Sequence, residues 1–230
     1  NVLVIKLTAD KPGSLTFTVR PQIAHLVPFG PLQRTDTMTI GYLSGPTQTR
    51  FSYNGREGKV FAKDDMITLR GKTEYLKLIY EAQVKVIPIN GSMSAWNDSN
   101  ADHGTIRVEN ADSAVILLAL GTNYRLSPQV FANKPAEKLK GCPDPHTEIS
   151  QRLIKATQKG YSQLRTTHIN DFSSLTERVQ LNIGPKSYLP TDRLLAAYKA
   201  GKQDTYLEEL FFHYGRYLLI SSARKGALPP

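Results

Sequence analysis

Cysteine is almost absent: the 230 residues contain one, Cys142. No internal disulfide can form, and a four-cysteine zinc site is excluded. A membrane-crossing helix needs about 18 or more consecutive apolar residues, and the longest apolar stretch here, Ala114–Leu120, is only strand-sized. No membrane span is expected. Tryptophan occurs once, at Trp96. The sequence holds no phosphate loop, dinucleotide fingerprint or nucleophile elbow. Its histidines, His25, His103, His146, His168 and His213, never fall four apart, so a helical zinc pair is missing. No metal or other cofactor is expected. The chain opens on Asn1-Val2-Leu3-Val4-Ile5, with neither an initiator methionine nor a signal peptide, and reads as a piece cut from a longer protein.

Apolar material is ample. Hydrophobic residues make up 40% and aromatics 9% of the chain, so a sizeable core can be buried and disorder throughout is excluded. Basic residues outnumber acidic ones by 29 to 20, a net charge of +9. That balance alone would suit an anionic partner. The basic residues are scattered, however, and the densest cluster (Lys134, Lys138, Lys140) sits in a proline-bearing loop. With no basic helical stripe and no strand alternating aromatics with arginine, a nucleic-acid partner is not expected.

Two grammars divide the chain. Leu15-Phe17-Val19 alternates with Thr16-Thr18-Arg20, the period-2 pattern of a half-buried strand. With Val2–Leu7 before it and the turn signal Asp10-Lys11-Pro12-Gly13 between, it predicts a hairpin. Residues 21–56 are rich in proline and glycine and predict long loops with short strands. Val60-Ala62, Met66–Arg70 and Leu76–Ile89 resume the strand pattern, with Glu81-Gln83-Lys85 facing one way and Ala82-Val84-Val86 the other. Asn90-Gly91-Ser92 turns the chain, and Thr105–Glu109 and Ala114–Leu120 bring the count to at least seven strands without an intervening helix. An antiparallel β-sandwich follows.

From about residue 146, Ile149, Leu153 and Ala156 recur at helical spacing. After Gly160, a second stripe runs Tyr161, Leu164, His168, Phe172, Leu175, Val179. Thr191 is expected to cap a helix from Asp192 to Lys199, and Asp204 to cap the last one. That last helix is apolar on both sides: Leu207, Leu210, Phe211, Tyr214 and Leu218 form one stripe, and Phe212, Tyr217, Leu219 and Ile220 cover the rest. A helix apolar all round must be buried all round, so either further chain or a partner is expected to cover it. The fold class is α+β, with a sandwich domain at 1–122, a helix-bearing linker at 123–189, and the start of a further helical domain at 190–230.

Several ordered motifs carry a family resemblance. His168-Ile169-Asn170-Asp171-Phe172, Glu177-Arg178-Val179, Leu189-Pro190-Thr191-Asp192 and Tyr214-Gly215-Arg216-Tyr217-Leu218-Leu219-Ile220-Ser221-Ser222 resemble glycoside hydrolase family 95, whose best-known members are α-L-fucosidases. Leu7–Gly13, Tyr80–Gln83, Ala111–Ser113 and Gly121–Tyr124 fall in the same order upstream. The resemblance spans nearly all of the chain outside 21–56. It departs from the pattern at Thr176, Arg193, His213 and Ala223–Gly226. It implies an N-terminal sandwich (part of a supersandwich), a helical linker, and an α/α barrel of which residues 190–230 hold the first helix. It further implies hydrolysis of α-L-fucosides with inversion, a fucosylated or related oligosaccharide as substrate, and a secreted or periplasmic location. The active-site carboxylic acid and base region lie further downstream in the family, so no catalytic residue falls in this chain, which alone is expected to be inactive and to brace the barrel. The alternative is a stand-alone carbohydrate-binding or interaction module.

Candidate substrate-binding residues are Trp96, His168 and Arg216. Trp96, beside polar residues in Ser94-Ala95-Trp96-Asn97, reads as a loop tryptophan that can stack on a sugar face, although a core or rim contact is the commoner use. His168 lies within an apolar stripe, where a hydrogen-bonded packing histidine outweighs a ligand, and His213 reads the same way. Arg216, the single charge between Phe211 and Ser222, should pair with a carboxylate or with carbonyls. Asp171 and Glu177 lie about 600° apart on a helix and point to different faces, unlike a catalytic pair. Glu177 and Arg178 could lock their helix to a neighbour. Asn90-Gly91-Ser92 and Asn97-Asp98-Ser99 match the glycosylation sequon.

Overall fold

The computed structural model describes residues 2–21, 38–39, 48–49, 57–73, 76–97 and 103–223. Most of the expected loop region 21–56, with His25 in it, as well as Asp98 and Ser99 of the second sequon and the residues from Arg224 onward, lies outside these residues. The chain divides into two compact units, Asn1–Tyr161 and Ser162–Pro230.

The first unit is an antiparallel sandwich. Its strands are β1 (Leu3–Thr8), β2 (Leu15–Val19), β3 (Met38–Thr39), β4 (Gln48–Thr49), β5 (Glu57–Lys63), β6 (Met66–Lys72), β7 (Ile79–Ile89), β8 (Ser92–Asn97), β9 (Gly104–Ala111) and β10 (Ser113–Thr122). One sheet has five strands in the order β1-β10-β7-β6-β5, a second has three in the order β2-β9-β8, and β3 pairs with β4. Alternation sets the core: Val60, Ala62, Ile67, Val84 and Val86 of the larger sheet meet Ile106, Val108 and Ala111 of the smaller, with Phe17 and Met93 packed alongside. Ile67 and Ile106 are fully buried, and each contributes about 1.5–3 kcal/mol by leaving water. The sandwich is followed by helices, an α+β arrangement.

The expected hairpin at the start does not form. β1 pairs with β10 in the larger sheet and β2 with β9 in the smaller, so the Asp10–Gly13 turn crosses between sheets. Asp112, between β9 and β10, ties that crossing down. Its Oδ1 accepts from the Gly13 N–H at 2.6 Å and its Oδ2 from Asn90 Nδ2 at 2.7 Å. Asn90, and then the Gly13 amide, hold its carboxyl below the usual carboxylate value.

Helix α1 (Pro128–Ala132) and a 3-10 turn at Pro135–Glu137 follow β10. Helix α2 (His146–Thr176) is broken at Gly160, whose φ of 70° and ψ of 166° only glycine adopts comfortably. Before the break, the predicted stripe Ile149, Leu153 and Ala156 is buried. This part of α2 packs on the larger sheet's other face, where a Cβ at Gly121 would lie 3.0 Å from Ile149. The larger sheet is therefore covered on one face by the smaller sheet and on part of the other by α2. In the second unit, α3 (Thr191–Lys199) starts one residue earlier than expected: Pro190 occupies the cap position, and Thr191 is the first helical residue. Helix α4 (Thr205–Ser222) has the expected cap, Asp204 accepting from the Leu207 N–H at 2.8 Å.

The Asn90-Gly91 turn generates the first prediction. Gly91 has φ of 107°, and a Cβ there would lie 2.6 Å from the Glu109 carbonyl oxygen. Gly91→Ala combines backbone strain with that clash and should cost about 2–3 kcal/mol. Urea unfolding should show a clearly lowered midpoint for Gly91→Ala and an unchanged one for the exposed neighbour Ser92→Ala.

Candidate functional site

Register builds a polar cluster on the outer face of the larger sheet. Arg70 stands opposite Glu81, Thr68 opposite Gln83 and Met66 opposite Lys85. Residues directly opposite share a face, so Glu81, Gln83 and Lys85 look away from the sandwich core and toward α2. The Glu81 side chain has no exposed surface. Its Oε2 accepts from Arg70 Nη1 at 2.5 Å, and its Oε1 lies 2.7 Å from both Gln83 Nε2 and His146 Nδ1. The carboxylate leaves His146 Nδ1 as the proton-bearing nitrogen in that bond. Arg70 reaches on to Asp144 through a two-armed pair, Nη1 to Oδ1 at 3.0 Å and Nη2 to Oδ2. Asp144 in turn accepts the backbone N–H of His146, the first residue of α2, at 2.9 Å. The Arg70 guanidinium, aided by that amide, holds the Asp144 carboxyl at about 2. Asp144 and then Glu81 push Arg70 the other way, above its ordinary value, against the opposing effect of burial.

Beside this cluster runs a groove of about 390 Å³ whose lining includes Thr68, Gln83, Lys85, Ser150, Ile154 and Thr157. Ser150 Oγ is engaged by Gln83 at 2.9 Å and by its own helix carbonyl of His146 at 2.9 Å, and the imidazole Nδ1 is committed to Glu81. No serine–histidine nucleophile pair is set up here. Among the described residues, no group of three or more His, Cys, Asp or Glu can hold a metal ion.

The second unit carries two of the three sequence candidates. Arg216 donates to carbonyls: Nη1 to Val179 at 2.6 Å, and further contacts at 3.3 Å to Leu175 and Thr176. Leu175 and Thr176 carry orphan carbonyls of the last turn of α2, which holds no basic residue of its own, and Val179 lies three residues past the helix end. His168 is exposed on α2 and stacks on Phe172 with ring centroids 6.3 Å apart; Phe172 meets Tyr217 edge-on at 5.9 Å, and Tyr217 stacks on Tyr214 at 6.3 Å. His213 Nε2 donates to the Leu181 carbonyl at 3.0 Å. Arg178, two residues past α2, turns back to the Ser174 carbonyl in the last turn of that helix. None of the residues of α4 is buried, and Phe211 is 79% exposed, so the covering that its composition demands is not supplied among the described residues.

Trp96 stands apart from these residues in sequence and in unit. It lies on strand β8 rather than in a loop, 59% exposed and opposite Thr105. The Arg70–Glu81–His146–Asp144 cluster escaped the sequence reading. Its one signal was the polar Glu81-Gln83-Lys85 edge on a strand long enough to be covered on both faces. No helix among the described residues is long and apolar enough to cross a membrane.

Comparison with known proteins adds a family context. Residues 1–127 match the family model described as glycosyl hydrolase family 65, N-terminal domain, and residues 160–230 match the glycosyl hydrolase family 95 catalytic domain. An Aspergillus niger protein named "Probable alpha-fucosidase A" is 33% identical over 169 residues, 71% of this chain and 20% of that protein. "Alpha-L-fucosidase 2" of Arabidopsis thaliana is 28% identical over 244 residues, 98% of this chain and 25% of its own length. "Probable alpha-fucosidase A" of Aspergillus oryzae is 33% identical over 139 residues, 58% of this chain and 19% of that protein. The chain thus spans about a fifth to a quarter of the curated relatives it matches.

The clasp at the start of α2 is titratable. Asp144 falls from an ordinary 3.8 to about 2 when folded, so its contribution is complete above pH 4 and disappears as pH falls toward 2. The carboxylate is 49% exposed, and solvent screening keeps its worth to roughly 1 kcal/mol. Asp144→Asn should lower the urea midpoint at pH 7 by that modest amount. Its stability should also decline less steeply than wild type between pH 4 and pH 2. Parallel acid limbs for the two proteins would overturn the assignment.

Proposed function

The chain belongs to the family 95 glycoside hydrolases, with an N-terminal domain of the family 65 type, and from that premise we propose that the whole protein is an α-L-fucosidase acting on α-L-fucosides with inversion. The observation that carries this reading is the alignment of 98% of the chain with a protein named alpha-L-fucosidase, in the order sandwich then catalytic segment. Inversion requires a protonated acid on one side of the glycosidic bond and a base activating water on the other, about 6.5–9.5 Å apart. Both groups are assigned to parts of the catalytic domain outside this chain.

The role proposed for the present residues is mechanical. The sandwich, assigned to 1–122, braces the catalytic domain, the segment 123–189 links them, and 190–230 begins the helical domain. Arg216 acts here as a positioning residue, holding α4 to the end of α2 by its carbonyl contacts. The uncovered faces of α4 pack against further helices of the catalytic domain. Trp96 and His168 remain candidates for contacts with a fucosylated oligosaccharide. The location is secreted or periplasmic, as is fitting for an enzyme acting on extracellular glycans.

Two measurements test this. The protein isolated from its native source should release L-fucose from 2′-fucosyllactose, with the β-anomer appearing first by proton NMR, while the 230-residue chain alone should release none. Early α-anomer would overturn inversion, release only from an α-L-galactoside would overturn the substrate, and activity of the isolated chain would place the catalytic groups within it. The same chain should self-associate in sedimentation velocity through Phe211, Tyr214 and Leu218, which are 79%, 57% and 47% exposed on one face of α4. Phe211→Glu with Leu218→Glu should return it to monomer without loss of helical circular dichroism.

A further inference from the structure

The outer face of the larger sheet is only partly occupied by α2. On the edge strand β5, Lys59, Phe61 and Lys63 alternate onto that face, because Lys59 stands opposite Arg70, Phe61 opposite Thr68 and Lys63 opposite Met66. With β7 they form three rows: Lys59–Arg70–Glu81, Phe61–Thr68–Gln83 and Lys63–Met66–Lys85. The rows run from the open edge into the groove beside α2. The inner cations are engaged, Arg70 by Glu81 and Asp144, and Lys85 by Asp65. The outer ones are different. Lys59 and Lys63 are exposed and make no ion pair among the described residues, and the Phe61 ring between them is 43% exposed.

We propose that this open strip, from Lys59, Phe61 and Lys63 inward along the groove, is a binding site for an acidic oligosaccharide, one whose sugar units carry carboxylate or sulfate groups. Each part of the strip fits a part of such a ligand. Phe61, Met66 and Ile154 offer apolar surface for the C–H face of a pyranose ring. The Gln158 amide and the Thr157 hydroxyl oxygen, whose proton goes to the Leu153 carbonyl, bring polar atoms to a groove of about 390 Å³, within the roughly 300–1,000 Å³ of small-ligand sites. The two free ammonium groups stand four residues apart on one strand, about 13 Å, so one ligand must carry several anionic units to reach both. Neutral apolar docking would not call for lysines bracketing the one exposed aromatic ring of the strand. The site lies wholly in the first unit and goes beyond the fucosidase reading, since it asks nothing of the catalytic domain and its ligand need contain no fucose.

The test is calorimetric titration of the 230-residue chain with tetragalacturonate, a sulfated galactan tetrasaccharide, neutral cellotetraose and tetraglutamate. At least one acidic sugar should bind saturably with a Kd below about 1 mM, more weakly as salt rises; which of the two binds tells carboxylate from sulfate. Cellotetraose and tetraglutamate should each bind at least tenfold more weakly. Lys59→Gln with Lys63→Gln, and separately Phe61→Thr, should each weaken the acidic sugar about tenfold or more while leaving the urea midpoint near that of wild type. If the urea midpoint of either variant falls, amide shift changes of the wild-type chain on adding the sugar decide instead, and they should centre on β5 and β6. Equal binding of tetraglutamate, no saturable binding of either acidic sugar, undiminished binding by well-folded variants, or shift changes centred elsewhere would each overturn the proposal.

Discussion

A carboxylate with no exposed surface, Glu81, governs how the first unit is put together. An unpaired buried charge costs several kcal/mol, so its partners must arrive together when the chain folds. Arg70 comes from the neighbouring strand, in register; Gln83 comes from two residues further along the same strand; His146 comes from the first turn of α2. Only the last of these is long-range in topology, and it fixes where the helix begins on the sheet. Asp144 reinforces the arrangement by spanning Arg70 and the first amide of α2. Ile149, Leu153 and Ala156 then fall on the apolar part of the same sheet face. Burial supplies the driving force for docking, and the polar pairing supplies its register.

The opposite end of the sandwich relies on a second carboxylate, used differently. Asp112 is solvated, but its side chain and backbone gather three separate turns. Its oxygens hold Gly13 and Asn90, its carbonyl accepts the Ala9 amide, and its own amide donates to Ile89. The three sheet-crossing connections at this end, β1 to β2, β7 to β8 and β9 to β10, are therefore tied at one point. A chain that simply folded back at Asp10–Gly13 would make the hairpin its local pattern favours. The crossing wins because it lets β1 and β2 pair with the long interior strands β10 and β9 and place Phe17 and Val19 against the core.

Local chemistry was legible in the sequence, and pairing was not. Alternation exposed the two faces of β7, helical spacing gave Ile149, Leu153 and Ala156, and Asp204 announced its helix by cap chemistry alone. These depend on neighbours within a few residues. The hairpin failed because strand partners are chosen across the whole domain, where a turn motif carries no vote on which sheet receives each strand. The Glu81 cluster stayed hidden for the same reason: nothing near residue 81 says that a helix 65 residues later will bring His146 to within 2.7 Å. Trp96 read as a loop residue because its polar neighbours masked an edge strand. Arg216 was recognised as a charge in need of partners, but the identity of those partners, carbonyls at and just past the end of α2, emerges only when α4 meets that end.

The two units differ in self-sufficiency, and that difference bears on how the chain folds. Within the first, a closed core and a buried ion network satisfy each other's requirements. Beyond Tyr161, Leu194 is the one buried hydrophobic among the described residues, while Phe211, Tyr214, Tyr217, Leu218 and Leu219 stand largely in solvent. Helices of this length draw most of their stability from tertiary packing of an apolar face rather than from intrinsic propensity. Here the face exists without a matching surface among the described residues, and what holds α4 to α2 is chiefly an arginine on carbonyls and edge-on aromatic contact. Neither replaces the burial that some 18 residues of apolar helix can provide. The first unit should therefore keep its fold as an independent cooperative body, and the helices of the second should gain their full stability only when further apolar surface is laid against them.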